Sequence, residues 1–412
     1  MRRFLTNIVL ISALFMYLFL PVHASGAPKP MTRQTDAYFS TVSMLILYDE
    51  AENTQAFADC WAHVKQILGE IDSAVSLSSP DSDVSRFNAL AAGEALAIRP
   101  LTAQILSHAF DVFHLTGGLY DPTVYPLVDL WGFSPRFNQS SYSAVMPYDR
   151  AYEDGLLPLP EDRYIQALLP LVGLDGLRLY QQDGVWYLEK NTPPVTVDGV
   201  TIQAQIDLGG AAKGFACDLV ADYLRSAGYT SGHFVCGSSS MAILSRPTDD
   251  GRYTLALGKP RAGQSADTHY ASVLVRDVSL STSSDSTHAH VRGGVRYCHI
   301  IDPRTGYPVN MPQDGVQRGA CSVTLLAPSA ARSDALTTAL FLMTPQQAAA
   351  FISEYLPGDL AVLAYYSSDA DTLEVMTNAQ DGVFSLDDPA YRLSSSLTSG
   401  EMQYTGAFFS AP

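Results

Sequence analysis

The segment Thr201-Ile-Gln-Ala-Gln-Ile-Asp-Leu-Gly-Gly-Ala-Ala-Lys-Gly-Phe-Ala-Cys-Asp-Leu-Val-Ala-Asp-Tyr-Leu-Arg-Ser-Ala-Gly228 changes its apolar period halfway along. Up to Leu208 the residues alternate, with Ile202, Ala204, Ile206 and Leu208 on one side, as a half-buried strand requires. Gly209 and Gly210 stop the alternation, and a helix is predicted from about Ala212 to Ala227, closed by Gly228. The segment therefore reads as strand, tight glycine turn, helix.

Outward from it, Phe57, Trp61, Val64, Leu68 and Ile71 draw a single apolar stripe down a helix over 53–73. A second helix is predicted from Thr102 to His114, ended by Gly117 and Gly118. Cys321 to Leu326 reads as a strand, followed by Pro328, a helix over 329–343 and another starting near Pro345. Strands and helices are mixed without regular βαβ alternation, which predicts an α+β fold: a single large domain, or two interlocked ones, with a mixed or antiparallel sheet and packed helices. Phe133 to Asp162, rich in Ser, Tyr and Pro, reads as a surface excursion, and the chain after Ser394 as a loose tail.

The 412 residues are 47% hydrophobic and 16% charged, enough to bury a large core. Arg2 and Arg3 precede an apolar run from Ile8 to Leu20, and Val22 and Ala24 offer small residues to a signal peptidase. The run is shorter than the ~20 residues a spanning helix needs, so cleavage after Ala24 and export are predicted, with an uncleaved membrane anchor as the competing reading. A formal charge of −17 excludes nucleic acid as the expected partner. It leaves room for a small anion, because clustered backbone N–H groups, a lysine and a divalent cation act locally. The five cysteines, Cys60, Cys217, Cys236, Cys298 and Cys321, are widely spaced without a CxxC pair, so neither a disulfide scaffold nor a zinc site is indicated, although a single bridge remains open.

Four segments carry candidate chemistry. In Asp207-Leu-Gly-Gly-Ala-Ala-Lys-Gly214 the paired glycines admit a ligand close to the backbone, and Lys213 sits in a first helical turn, where a cation opposes the helix dipole unless it meets an anion. Its plainer reading is a solvated lysine beside a glycine turn. In Ser333-Asp-Ala-Leu-Thr-Thr338, Asp334 and Thr338 stand four apart, so a carboxylate and a hydroxyl share one helical face, oxygens that suit magnesium. Alone, such a pair more often marks a capped helix start. In Tyr297-Cys-His-Ile-Ile-Asp-Pro-Arg-Thr-Gly-Tyr-Pro308, Asp302 to Gly306 is turn chemistry, and His299 has a side chain able to take a hydroxyl proton near neutral pH. A lone histidine is more often structural, and His288 with His290 is a weak metal hint. Asp121 lies in a glycine- and proline-rich loop that names no reaction by itself.

Together and in this order, these segments resemble the ApbE family, the FAD:protein FMN transferases. Gly118-Leu-Tyr-Asp-Pro-Thr-Val-Tyr-Pro-Leu-Val-Asp-Leu-Trp-Gly-Phe133 is similar to the family's G-x-F-D-P-T-V-x-P-L-x-x-L-W-G-F, and Asp207–Gly214 to its D-L-G-G-x-A-K-G. Tyr297–Pro308 is similar to Y-x-H-I-I-D-P-x-T-G-Y-P, Ser333–Ala339 to x-D-A-L-x-T-A, and Ser82–Asn88 to an early S-[DE]-[VIL]-S-R-[FL]-N element. The resemblance spans about Tyr38 to Leu363. It implies an ApbE-like, T-fold-related flavin transferase domain over 36–395, between the signal peptide at 1–24 and the tail at 396–412.

The resemblance also implies roles. Asp334, Thr338 and the Gly210 carbonyl would hold Mg2+ against the pyrophosphate of the substrate FAD, and Lys213 and Asp121 would contact the dinucleotide. His299 would help deprotonate a serine or threonine of an acceptor protein, which attacks the FMN phosphorus as AMP leaves. The implied acceptors are extracytoplasmic flavin-carrying proteins of membrane electron-transfer systems. Departures bear on FAD placement: Ser238 replaces a glycine of the family's N-L-G-G-N, Ser284 and Ser286 interrupt its T-S-G-D-Y, and Ser78 stands where many members carry an aromatic residue. FAD pyrophosphatase activity and a weakly active flavin-binding protein are the competing functions.

Overall fold

The computed structural model describes residues 29–48, 53–134, 159–237, 239–246, 250–260, 269–286, 288–309, 319–366 and 373–394. The expected signal peptide, most of the excursion between Phe133 and Asp162, the tail beyond Ser394 and Ser238 lie outside the described residues. The chain divides into two compact units, one of Met1–Leu68, Lys213–Thr287 and Val316–Pro412, the other of Gly69–Ala212 and His288–Gly315.

The first unit is built on a nine-stranded sheet whose strands lie side by side in chain order: Met31–Tyr38, Thr41–Leu47, Gly232–Cys236, Ser240–Ile243, Val278–Ser284, Ala320–Ala327, Leu360–Tyr366, Leu373–Thr377 and Tyr391–Leu393. Only the last pair runs parallel. The Ala320–Ala327 strand is buried along its whole length, its polar Ser322 and Thr324 included. The strand beside it shows how side-chain alternation sorts the two faces. Val278 and Leu280 enter a core shared with Leu255, Tyr270, Val273 and Val362, whereas Ser281 and Ser283 hydrogen-bond to the helix Ala330–Phe341 on the other face. That helix is capped by the Ser329 hydroxyl, which accepts the Arg332 N–H at 3.1 Å. The next, Pro345–Tyr355, has a full capping box from Thr344 and Gln347.

The second unit has a three-stranded sheet of Ala95–Ile98, Val185–Lys190 and Leu177–Gln182, two small hairpins and a core centred on Leu127, Trp131, Ile165, Leu168 and Ile202. The predicted second helix runs Pro100–Leu115, and Gly117 and Gly118 follow it with φ of 61° and 84°. The predicted first helix runs Thr54–Val75.

The strand expected over 201–208 is corrected. Only Val200–Ile202 pairs in a sheet, although burial alternates as predicted up to Leu208. The segment finds its backbone partners elsewhere: the Asn88 side chain donates to the Ile206 carbonyl (2.9 Å) and accepts the Ile206 N–H (2.8 Å), and the Asp207 N–H donates to the Pro122 carbonyl (3.0 Å). The helix begins earlier than expected, at Gly209, and runs to Ser226. Asp207 Oδ1 accepts the Gly209 N–H at 2.7 Å, so its carboxylate caps an amide of the first turn.

Candidate active site

In the first unit, Asp334 lies one turn inside the Ala330–Phe341 helix. The capping reading of Asp334 is thereby set aside, since Ser329 fills that role. The carboxylate of Asp334 is 5% exposed; its Oδ2 accepts the Gly214 N–H at 3.1 Å and stands 3.9 Å from Lys213 Nζ. Burial holds this carboxyl above its ordinary range, and the Lys213 ammonium, the Gly214 N–H and the Ser240 hydroxyl pull it back down. Thr338 is half-buried one turn further on, its Oγ1 3.4 Å from the Asp334 carbonyl and 3.5 Å from Ser283 Oγ. The carboxylate placed against Lys213 is that of Asp334, at 3.9 Å.

The close approach rests on a glycine. A Cβ on Gly214 would sit 2.3 Å from the Ala330 carbonyl oxygen and 2.7 Å from Ala331 Cα, so here the two helices touch backbone to backbone. A carboxylate that the sequence reading passed over, Asp218, lies one turn after Gly214. It accepts the Ser329 hydroxyl at 2.7 Å and the N–H groups of Ala330 (2.6 Å) and Ala331 (3.0 Å). Its only sequence signal is its i+4 relation to Gly214 on one helical face. All five cysteines are free and buried, and burial pushes the Cys236 thiol, near Lys213 and Asp334, up to about 12, which keeps it protonated and unreactive.

In the second unit, Gly210 lies in the first turn of the Gly209–Ser226 helix, and a Cβ there would come 3.4 Å from the Tyr120 ring. Asp121 is buried and caps a short 3₁₀ turn, Pro122–Val124: its Oδ1 accepts the Thr123 N–H (2.8 Å) and hydroxyl (2.5 Å). Desolvation raises its carboxyl above the usual range against those hydrogen bonds. His299 leaves the Val295–Cys298 strand with its N–H on the His288 carbonyl (2.9 Å) and its Nδ1 3.2 Å from that same oxygen. Phe133 stacks on His290 at 4.6 Å and meets the His299 ring edge-on at 6.5 Å. Beside them the Asp302–Gly306 turn forms as predicted; a Cβ on Gly306 would strike Ile165 at 2.6 Å. A separate cavity of about 760 Å³ in this unit is lined by Ser78, Pro80, Asn88, Tyr125 and Gln205 among others. Ser284 and Ser286, in the first unit, satisfy one another at 2.5 Å.

Among the described residues no group of three or more His, Cys, Asp or Glu side chains is placed to hold a metal ion. The Asp334–Thr338 pair is of a different kind, two hard oxygen donors of the sort magnesium supplements with water and ligand phosphate. Asp334 fits a second cation, because it is almost wholly buried while the Lys213 ammonium stands as far off as 3.9 Å.

The sequence model of the ApbE family matches residues 39–364, and the chain belongs to that family. Among its relatives, an FAD:protein FMN transferase of Vibrio cholerae is 30% identical over 282 residues, covering 68% of this chain and 72% of the relative. The fold is shared with the flavin transferase ApbE from Vibrio cholerae (TM-score 0.63, 24% identity, 85% of this chain and 97% of that one). It is shared equally with the apo form of the Pseudomonas stutzeri flavinyl transferase ApbE (TM-score 0.64, 23% identity, 86% and 96%).

Proposed function

We propose that this chain is a magnesium-dependent FAD:protein FMN transferase that moves FMN from FAD to a serine or threonine hydroxyl of an acceptor protein and releases AMP. The observation that carries the reading is the buried carboxylate of Asp334, held between the Lys213 ammonium and the Gly214 N–H with the Thr338 hydroxyl one turn away. Asp334 and Thr338 are the residues of the first unit that would hold the cation. Bound there, magnesium supplies positive charge for the pyrophosphate oxygens and the departing AMP.

The remaining work falls to side chains. Lys213 adds a fixed positive charge for the dinucleotide phosphates. Asp121 supports dinucleotide binding through the turn that it caps. At His299 the His288 carbonyl can only accept, so Nδ1 bears the hydrogen, and in the neutral ring Nε2 is the nitrogen with the lone pair. That nitrogen takes the proton of the acceptor hydroxyl as the oxygen bonds to the FMN phosphorus and the bond to AMP breaks. The amino-terminal pattern supports action outside the cytoplasm, secreted or tethered by an uncleaved signal, on flavin-carrying proteins of membrane electron-transfer systems. AMP release from FAD, measured with and without magnesium and an acceptor, tests the reading: release that needs both supports it, and intact FAD under all conditions overturns it.

A further inference from the structure

We propose that Asp218 is a positioning residue of the reaction, fixing the helix that carries Asp334 and Thr338 against the helix that carries Lys213. The inference rests on the transferase reading above and deepens it.

The two helices exchange carboxylates. From the Ala330–Phe341 helix, Asp334 reaches to the Gly214 N–H near the start of the other helix. From the Gly209–Ser226 helix, Asp218 reaches back to the first turn of its neighbour, taking the Ser329 hydroxyl and two backbone N–H groups. Gly214 and Asp218 are four residues apart on one helix, and Ala330 and Asp334 are four apart on the other. Each carboxylate thus sits one turn from the point where the other binds, with the backbone contact of Gly214 and Ala330 between them. Ser281 completes the junction, its one hydroxyl hydrogen within reach of the Ala330 carbonyl at 3.3 Å and of the Ser240 oxygen at 3.0 Å. Three hydrogen bonds to one carboxylate at a helix start fix axial position and rotation together. The rotation of this helix decides where Asp334 and Thr338 point. An error of about 1 Å at a metal-binding oxygen weakens both binding and catalysis.

Asp218 touches neither the phosphates nor the cation in this account, so its loss should be read in metal affinity as well as rate. The test uses the full chain with Asp218→Ala, Asp218→Asn and, as a control for the loss of a helix cap alone, Thr344→Ala, which uncaps the neighbouring Pro345–Tyr355 helix. Mn2+ binding is followed by electron paramagnetic resonance without FAD, AMP release against magnesium concentration with it, and melting temperature throughout. The expected result is a Mn2+ dissociation constant and a half-saturating magnesium concentration raised about tenfold or more in Asp218→Ala. Asp218→Asn, which keeps one acceptor, should recover part of the loss, and Thr344→Ala should melt lower with Mn2+ affinity near that of the parent. Equal Mn2+ affinity in all four proteins, with melting temperature the only change, would overturn the proposal. Should Asp218→Ala fail to fold, the Asn variant decides on the same readouts. If the parent binds Mn2+ but leaves FAD intact, the transferase reading fails separately, because the metal-affinity comparison does not depend on turnover.

Discussion

Lys213 Nζ stands 3.9 Å from Asp334 Oδ2, beside the point where Gly214 lets the two helices meet. At this distance the pair is too loose to neutralise a carboxylate that is almost entirely desolvated, which leaves a binding role for a second cation. Asp334→Ala is expected to reduce magnesium-dependent AMP release by on the order of 10³-fold, the scale of losing the charge that stabilises a phosphoryl transition state. Lys213→Ala should lose less and chiefly raise the KM for FAD. Steady-state assays with AMP quantified by chromatography separate the two.

Gly214→Ala drives a methyl group into the Ala330 backbone, and neither helix has a flexible side chain at the contact to give way. A destabilisation of about 3 kcal/mol is expected, at the upper end for overpacking. Denaturant unfolding measures it, and an activity loss larger than the fraction unfolded would show that the Asp334 position has moved as well.

Asp121 has its acceptor oxygen occupied by Thr123 twice over. Removal of this cap in Asp121→Ala should cost about 1 kcal/mol. Asp121→Asn, which keeps a carbonyl oxygen for the Thr123 N–H, should lie between it and the parent in both stability and KM for FAD. A large KM increase in the Asn variant at unchanged stability would instead show direct contact of the charge with the dinucleotide.

Lys190, in the second unit, has no exposed surface; its Nζ donates to the Leu90 carbonyl at 2.8 Å and lies 4.8 Å from the Phe87 ring centre. Burial lowers its pKa to about 8. The folded state therefore holds fewer protons than the unfolded state between about pH 8 and the ordinary lysine value near 10.4. The penalty of the buried charge is fully present below pH 8 and is relieved as pH rises through this window. Compared with Lys190→Met, the parent should gain about 2 kcal/mol between pH 7.5 and pH 10 in chemical denaturation. A constant difference between the two proteins would contradict the assignment.

Much of this was legible before any coordinates. The stripe from Phe57 to Ile71 gave the first helix because a 3.6-residue period has no competing explanation over about four turns, and Gly117 and Gly118 marked a helix end because their positive φ suits few other residues. Residue type and spacing marked Asp334, Thr338 and Lys213 only as candidates, their roles being implied by the family resemblance, and the structure brings Lys213 within 3.9 Å of Asp334. The strand over 201–208 failed for a physical reason. Alternating burial is a property of any chain passing over a core, whereas a strand also needs a neighbour, and here Asn88 and Pro122 supply the hydrogen bonds from a distance in sequence of more than 80 residues. Asp218 escaped notice on the same grounds, since its partners at Ser329–Ala331 are more than 100 residues away. Helix starts set by a carboxylate, at Asp207 and Asp218, are tertiary facts that local periodicity does not record.

The most direct test of the transferase reading incubates the full chain with FAD, magnesium and a purified acceptor bearing a candidate serine or threonine, and then weighs the intact acceptor by mass spectrometry. The account predicts an acceptor heavier by one FMN, with equimolar AMP, and no gain with Asp334→Ala, with His299→Ala or without magnesium. AMP and free FMN with an unmodified acceptor, or bound FAD that stays whole, would contradict it.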